Sequence, residues 1–226
     1  MENINKAVII NCGLGNWYPF GSERLARSLN FCGWGGHTLI HAGEEPKGNI
    51  THDDIPYYMK IATFEEAIEL GYTHILWLDS SFWAVKNPMP MFDIINEQGY
   101  YFFSTGYNLA QSSNDNALRF ANRTRDEAAL QTEWASGCVG INLNNDNGRN
   151  LYNKWKYYMD NGVSRGSRLH DNQSQDERFL FHRNDQTALN LAIWDLELKN
   201  ERGLDMVSYW GTGFNEKELI WFIGGL

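Results

Sequence analysis

Short apolar runs alternate along the chain with stretches whose apolar residues recur at helical spacing, and this alternation predicts an α/β fold. Residues 7–10, rich in β-branched side chains, read as a first buried strand. A polar, glycine-containing loop follows over 11–21, and Ser22 is placed to cap a helix reaching Phe31, with Leu25 and Leu29 on one face. Residues 37–41 read as a second strand, after which Gly43, Pro46, Gly48 and Pro56 mark a long loop. Ile61, Phe64 and Ile68 then keep helical spacing, with Thr63 and Glu66 as a capping box and Gly71 as the stop. Residues 74–78 form a strand that runs directly into Asp79. Pro88 and Pro90 punctuate a loop before a helix over 91–97, and 100–104 is strand-like again.

In the second half, Thr124 and Glu127 match another capping box, and 137–143 reads as a buried strand. Leu151, Trp155, Tyr158 and Met159 mark the inner face of a helix over 148–160, and the polar stretch 161–177 lacks periodicity and reads as a long loop. Leu189, Ala192, Ile193 and Leu196 mark a late helix starting near Asp185, and 206–209 and 219–223 read as final edge strands. The pattern predicts a mostly parallel central sheet flanked by helices on both faces, with ligands bound beyond the carboxyl ends of its strands.

A chain of 226 residues holds one sizeable core, and 42% hydrophobic with 21% charged residues is ordinary for a globular domain. Nine Trp within a 14% aromatic share leave rings to spare for stacking on sugars and bases. The formal charge of −9 argues against a broad basic surface, so a glycan or protein acceptor is expected rather than nucleic acid. Cys12, Cys32 and Cys138 lack metal-type spacing and read as free, reduced thiols. No apolar run approaches the roughly 18 residues of a membrane span, and the N-terminal residues do not resemble a secretory signal. A cytoplasmic protein is the expectation.

Candidate chemistry concentrates in three stretches. In ILWLDSSFWAVKNP (75–88) an apolar strand delivers Asp79 at its end, where a carboxylate can hold a divalent cation or a ribose hydroxyl, or merely cap the following turn. In TEWASGCVGINLNN (132–145), Ala135, Ser136 and Gly137 precede a buried strand, and small side chains there allow a ligand to approach the backbone. In HRNDQTALN (182–190), Asp185 and Gln186 open a helix, where an acid is stabilised by the dipole and also serves as a plain cap. Other candidates are Asn11, Gly13 and Tyr18 in the first loop, Arg24 and Lys60 as partners for phosphate, and a faint His170, Asp171 and His182 metal set. Gly13, Gly15 and Gly21 miss the dinucleotide spacing.

These stretches, in this order, resemble glycosyltransferases of the glycosyltransferase-A fold. The first resembles their strand-plus-DxD segment, the second the "N-A-G-V-x-L-x-N" strand of the glycogenin and bacterial galactosyltransferase type, the third the "D-Q-x-x-L-N" helix start of that type. Nearly the whole chain is also similar to glycosyltransferase-like proteins of phages and large DNA viruses. The similarity to these viral proteins lies in Tyr18, Pro19, Gly21, Arg24 and Leu25, then Trp77, Asp79, Ser81 and Trp83, then His182, Arg183, Asp185 and Gln186. The resemblance implies a single glycosyltransferase-A domain over 1–226, with a nucleotide-binding half over about 1–110 and a sugar and acceptor half over about 111–226. It implies transfer of a hexose or pentose from a nucleotide sugar to a hydroxyl group, with Asp185 and Gln186 at the reacting sugar. Asn11, Gly13, Tyr18, Arg24, Lys60, Asp79, Ser80, Ser81, Ala135, Ser136, Gly137, His182 and Arg183 would then line the donor site. Asp79 and Ser81 mark where a divalent cation, manganese or magnesium, would sit; Ser81 replaces the second acid, and a hydroxyl is the weaker ligand. The leaving diphosphate needs positive charge, from such a cation or from Lys60, Arg24 or Arg183. A sugar-phosphate nucleotidyltransferase and a non-catalytic glycan- or nucleotide-binding module are the alternatives.

Overall fold

The computed structural model of the chain describes residues 6–166, 174–200, 206–209, 211 and 219–224. Its centre is a five-stranded sheet of order β2-β1-β3-β8-β5, built from β1 (Ala7–Gly13), β2 (His37–Ala42), β3 (His74–Leu78), β5 (Tyr100–Tyr101) and β8 (Cys138–Asn142). β1 pairs in parallel with β2 and β3, whereas β8 runs antiparallel to β3 and β5, so four strands share one direction and β8 opposes them. The expected α/β architecture is present, with one strand reversed.

Alternate residues of the central strands feed two cores. Val8, Ile10 and Cys12 of β1 and Ile75 and Trp77 of β3 pack under α2 (Met59–Glu69), α7 (Asp146–Asp160) and α8 (Asp185–Asp195). Ala7 and Ile9 of β1, with Leu76 and Leu78 of β3, pack on the opposite face under α1 (Tyr18–Phe31) and α3 (Met89–Gln98). Burial of both faces explains why these strands read as continuous apolar runs.

Several boundaries differ from the sequence reading. β1 continues through Asn11, Cys12 and Gly13, all buried, so these residues are strand and not loop. α1 starts at Tyr18 rather than Ser22, because Pro19 occupies its first turn, where a missing N–H costs nothing. Pro88 and Pro90 likewise open α3 instead of lying in a preceding loop. Thr63 lies inside α2 and donates its hydroxyl to Met59 O (2.7 Å), so it is no N-cap. The Thr124–Glu127 capping box is present, at the start of α6 (Arg125–Ala129). Residues 100–104 split into β5 and the start of β6 (Ser104–Asn108), which pairs with β7 (Thr132–Trp134). α4 (Leu109–Ser112) and α5 (Asp115–Phe120) fill the stretch before α6.

The last two strands do not edge the central sheet. β10 (Trp221–Ile223) is the middle of a separate three-stranded sheet, between β4 (Phe82–Ala84) and β9 (Val207–Tyr209). Its partner β4 is hidden inside the 75–88 motif, too short to show a period. Part of the predicted 161–177 loop, including His170 and Asp171, lies outside the described residues. Cys12 and Cys138 are buried free thiols and Cys32 a half-buried one. Among the described residues, no helix is long and apolar enough to cross a membrane.

Candidate active site

β3 ends at Leu78, and the chain turns at Asp79 over a packed floor. The Asp79 N–H donates to Gly137 O (2.8 Å), and Asp79 O accepts the Phe82 N–H (3.0 Å). Trp77 Nε1 donates to Asp79 Oδ1 (2.8 Å), fixing the carboxylate's orientation. Below the turn, Asn11 Nδ2 donates to Leu78 O (2.7 Å), and the hydroxyls of Ser80 and Ser22 meet at 3.0 Å. Gly13 makes this floor possible. A Cβ there would lie 2.3 Å from Ser22 Oγ and 2.5 Å from Tyr18 O, so only glycine lets the end of β1 approach α1.

The facing wall is the N-terminus of α8. Nine consecutive residues of this helix, Asp185 to Ile193, are buried, and two of its polar side chains, Asn190 and Thr187, fix it in place. Asn190 accepts the Trp134 N–H (2.7 Å) and donates to Trp134 O (2.8 Å), standing in for a strand partner of β7. Thr187 donates to Ser112 O (2.8 Å), and Trp155 Nε1 donates to Asp185 O (3.2 Å). The N-cap Asn184 has φ 50° and makes no side-chain cap. Left-handed backbone at a residue other than glycine is costly and is found where the surroundings impose a geometry. Asp185 does not cap its own helix; its carboxylate turns to Lys60.

Lys60 joins the two walls. Its Nζ, on a side chain only 3% exposed, lies 3.0 Å from Asp79 Oδ1 and 2.8 Å from Asp185 Oδ2. It also donates to Ser136 O (3.0 Å) and Ser136 Oγ (3.2 Å), and faces the Trp77 ring at 5.3 Å. The Asp185 contact is an ion pair without hydrogen-bond alignment. Burial works against the ammonium, but Asp185 and Asp79 outweigh it and hold Lys60 above the ordinary lysine range. Burial holds the Asp185 carboxyl above the ordinary carboxylate range, although Lys60 pulls it down. Lys60, expected as a partner for phosphate, is thus buried between two acids, because α2 packs it against Trp77 and Ser136.

Two cavities meet at this point. A larger one of about 640 Å³ lies beyond the ends of β1 and β3 and is lined by Tyr18, Tyr57, Asn49, Asp79, Ser80 and Ser81, among others. A second, of about 410 Å³, is lined by Tyr57, Lys60, Asp79, Ser136, Phe181, His182, Arg183, Asn184, Asp185 and Gln186. Asp79 and Tyr57 border both. Gln186 accepts the Ser136 N–H through Oε1 (3.0 Å), whereas its buried Nε2 has no protein partner. A buried donor left unpaired is an unusual expense and suits a ligand oxygen.

Five sequence candidates line neither cavity. Asn11, Gly13 and Gly137 support the Asp79 turn; a Cβ on Gly137 would come 3.0 Å from Asp79 Oδ2. Ala135 is buried in the core, its N–H donating to Phe103 O (2.8 Å). Arg24 donates to Ser81 O (3.0 Å) and lies over the Trp83 ring at 4.4 Å. His182 borders the second cavity, but both ring nitrogens are engaged: Nδ1 accepts the Asn114 N–H (3.2 Å) and Nε2 lies 3.1 Å from Val163 O. Arg183 lies over Phe181 at 4.3 Å, on the rim. The sequence reading missed Tyr57, which has φ 63° and stands between the cavities. No periodic or motif signal marks it.

The donors present do not fit a divalent cation. Such ions take six or more oxygen ligands, carboxylates foremost. Here Asp79 is the single acid of its turn, and its Oδ1 already faces two donors, Lys60 Nζ and Trp77 Nε1. Among the described residues, no group of three or more His, Cys, Asp or Glu side chains converges to hold a metal.

No family model matches the sequence, and no curated protein does. Solved structures do. The bifunctional glycosyltransferase WbbM superposes on 99% of this chain with a TM-score of 0.52 at 10% identity, and this chain spans 46% of that protein's length. A glycosyltransferase involved in glycosylation of the major capsid of PBCV-1 aligns with 96% of this chain and 92% of its own (TM-score 0.44, 11% identity). The galactosyltransferase LgtC, solved with donor and acceptor sugar analogues, aligns with 81% of this chain and 69% of its own (TM-score 0.41, 13% identity). The first likeness shows a fold shared with a glycosyltransferase, which bears out the fold implied by the motifs.

Proposed function

We propose that the protein is a glycosyltransferase that moves a sugar from a nucleoside-diphosphate sugar to a hydroxyl acceptor. The observation that carries this reading is the convergence of Asp79 and Asp185 on Lys60, at the junction of two cavities. The larger cavity suits the nucleoside, with Tyr18 and Tyr57 as stacking surfaces. The smaller suits the sugar, and the diphosphate spans the junction beside Asp79.

In the transfer, the bond between the anomeric carbon and the diphosphate oxygen breaks, and its electron pair leaves with the phosphate. A new bond forms from that carbon to the acceptor oxygen, which loses its proton. Gln186 Nε2 donates to a sugar oxygen, and Asp185 faces the positive charge that develops on the ring. A carboxylate more basic than usual is also a better proton acceptor, so in an inverting reaction Asp185 takes the acceptor's proton. A glycan or protein acceptor, rather than nucleic acid, agrees with the overall charge of −9.

The test is Asp79→Ala. Asp185 and Ser136 still hold Lys60 in that variant, so the protein stays folded by circular dichroism, while loss of the carboxylate that accepts a ribose hydroxyl of the donor abolishes nucleoside-diphosphate binding in titration calorimetry. Unchanged affinity for every nucleoside diphosphate in a panel would sink the reading. Tight binding of free sugar with no nucleotide requirement would point instead to a glycan-binding module.

A further inference from the structure

We infer that Lys60, and not a divalent cation, supplies the counter-charge for the donor's diphosphate, so that donor binding is independent of metal. This inference rests on the donor-site reading above and specifies its counter-charge.

The argument begins with the ligand shell. Four oxygens surround Lys60 Nζ within 3.2 Å: Asp79 Oδ1, Asp185 Oδ2, Ser136 O and Ser136 Oγ. An all-oxygen shell with two carboxylates is the environment that a hard cation selects, and here a protein cation already fills it. A divalent ion bound at Asp79 Oδ1 would lie close to a buried ammonium, with like charges opposed in a medium of low dielectric. The turn also lacks a second acid to offset that repulsion, since Ser81 follows where a carboxylate would be needed.

An ammonium has three hydrogens, and four oxygens already compete for them. A phosphate oxygen at the junction can replace the longest contact, that to Ser136 Oγ, without leaving an acceptor buried and ionised. Charge balance is consistent with this arrangement. Asp79, Asp185 and Lys60 together carry one negative charge, and Arg183 on the rim brings the formal charge lining the smaller cavity to zero before the donor arrives. Backbone N–H groups at the start of α8 add positive potential on the sugar side.

The experiment is calorimetric titration of the intact protein with uridine, guanosine, adenosine, cytidine and thymidine diphosphates, once with EDTA and once with excess manganese chloride. The expected result is one preferred nucleotide whose affinity agrees within about threefold between the two conditions, a span small on the scale of one charge-assisted contact. Manganese electron paramagnetic resonance should show no protein-bound ion beyond that held by the nucleotide itself. Lys60→Met should weaken binding about tenfold to a hundredfold in both conditions. Binding that requires manganese would overturn the inference and leave the donor reading standing. A folded Lys60→Met protein with wild-type affinity would also overturn it. No nucleotide binding in either condition would overturn both. If Lys60→Met fails to fold, the two wild-type titrations still decide.

Discussion

The indole of Trp77 and the carboxylate of Asp79, two residues apart at the exit of one strand, are joined by a hydrogen bond of 2.8 Å. Trp77 is 1% exposed and belongs to the core, whereas Asp79 borders both cavities. The bond therefore ties the packing of the sheet to the orientation of the acid.

Trp77→Phe keeps most of the ring packing and removes the N–H. It should cost about 2 kcal/mol of stability from lost volume. It should also weaken nucleoside-diphosphate binding about five- to twentyfold through a freed carboxylate. Urea denaturation and titration calorimetry separate the two effects; unchanged binding would show that the indole only fills space.

Asp185→Asn should lower turnover about a hundredfold or more while donor affinity changes less than about threefold. Asparagine preserves the shape at the helix mouth, and Lys60 keeps Asp79 as partner, so the variant should remain folded. Equal losses in kcat and in donor affinity would make Asp185 a binding residue only.

Gly13→Ala tests the floor beneath the Asp79 turn. The new methyl group would meet backbone at Tyr18 O as well as two serine hydroxyls, at 2.3–2.8 Å. Backbone cannot move aside cheaply, and overpacking of this kind costs about 1–3 kcal/mol. Thermal melts should show the loss. A neutral substitution would mean that α1 is not fixed against β1.

His182 should make the fold acid-sensitive. Burial pushes its pKa down from 6.5 to about 4, and the ring stays neutral between Asn114 and Val163. Above the unfolded value neither state binds the proton. As pH falls below about 6.5 the unfolded chain takes it up first, and stability drops until the folded ring also protonates near 4. Between pH 7 and pH 4.5 the loss from this group is about 2 kcal/mol. His182→Gln should flatten that part of the profile, measured as urea-denaturation free energy; parallel curves for the two proteins would refute the assignment.

The sequence was most legible where one level of structure dominates. Strands β1 and β3 are apolar on both faces because both faces are covered, and Asp79 stands out as the first charge after such a run. Asp185 and Gln186 were found because a helix start and a recognisable pattern coincide. What could not be read depends on tertiary contacts. Lys60 is legible as a partner for phosphate, but its burial is not, because Asp79 and Asp185, 19 and 125 positions away, close on it only in the fold. Tyr57 carries no local signal beyond its type, and nothing in the sequence around it marks the left-handed backbone it adopts. β4 is three residues long, and its strand character comes entirely from pairing with β10.

That pairing binds the timing of assembly to the site. Gly224 N–H donates to Ser81 O (3.1 Å), and Val85 N–H to Ile220 O (2.9 Å), so both flanks of β4 are latched by residues near the far end of the sequence. On the ribosome, the segment holding Asp79 emerges well before those latches exist. The central sheet can form early, but β4 finds its pairing partner only after residues 219–224 arrive, so a nascent chain acquires its scaffold before this flank of the site is closed.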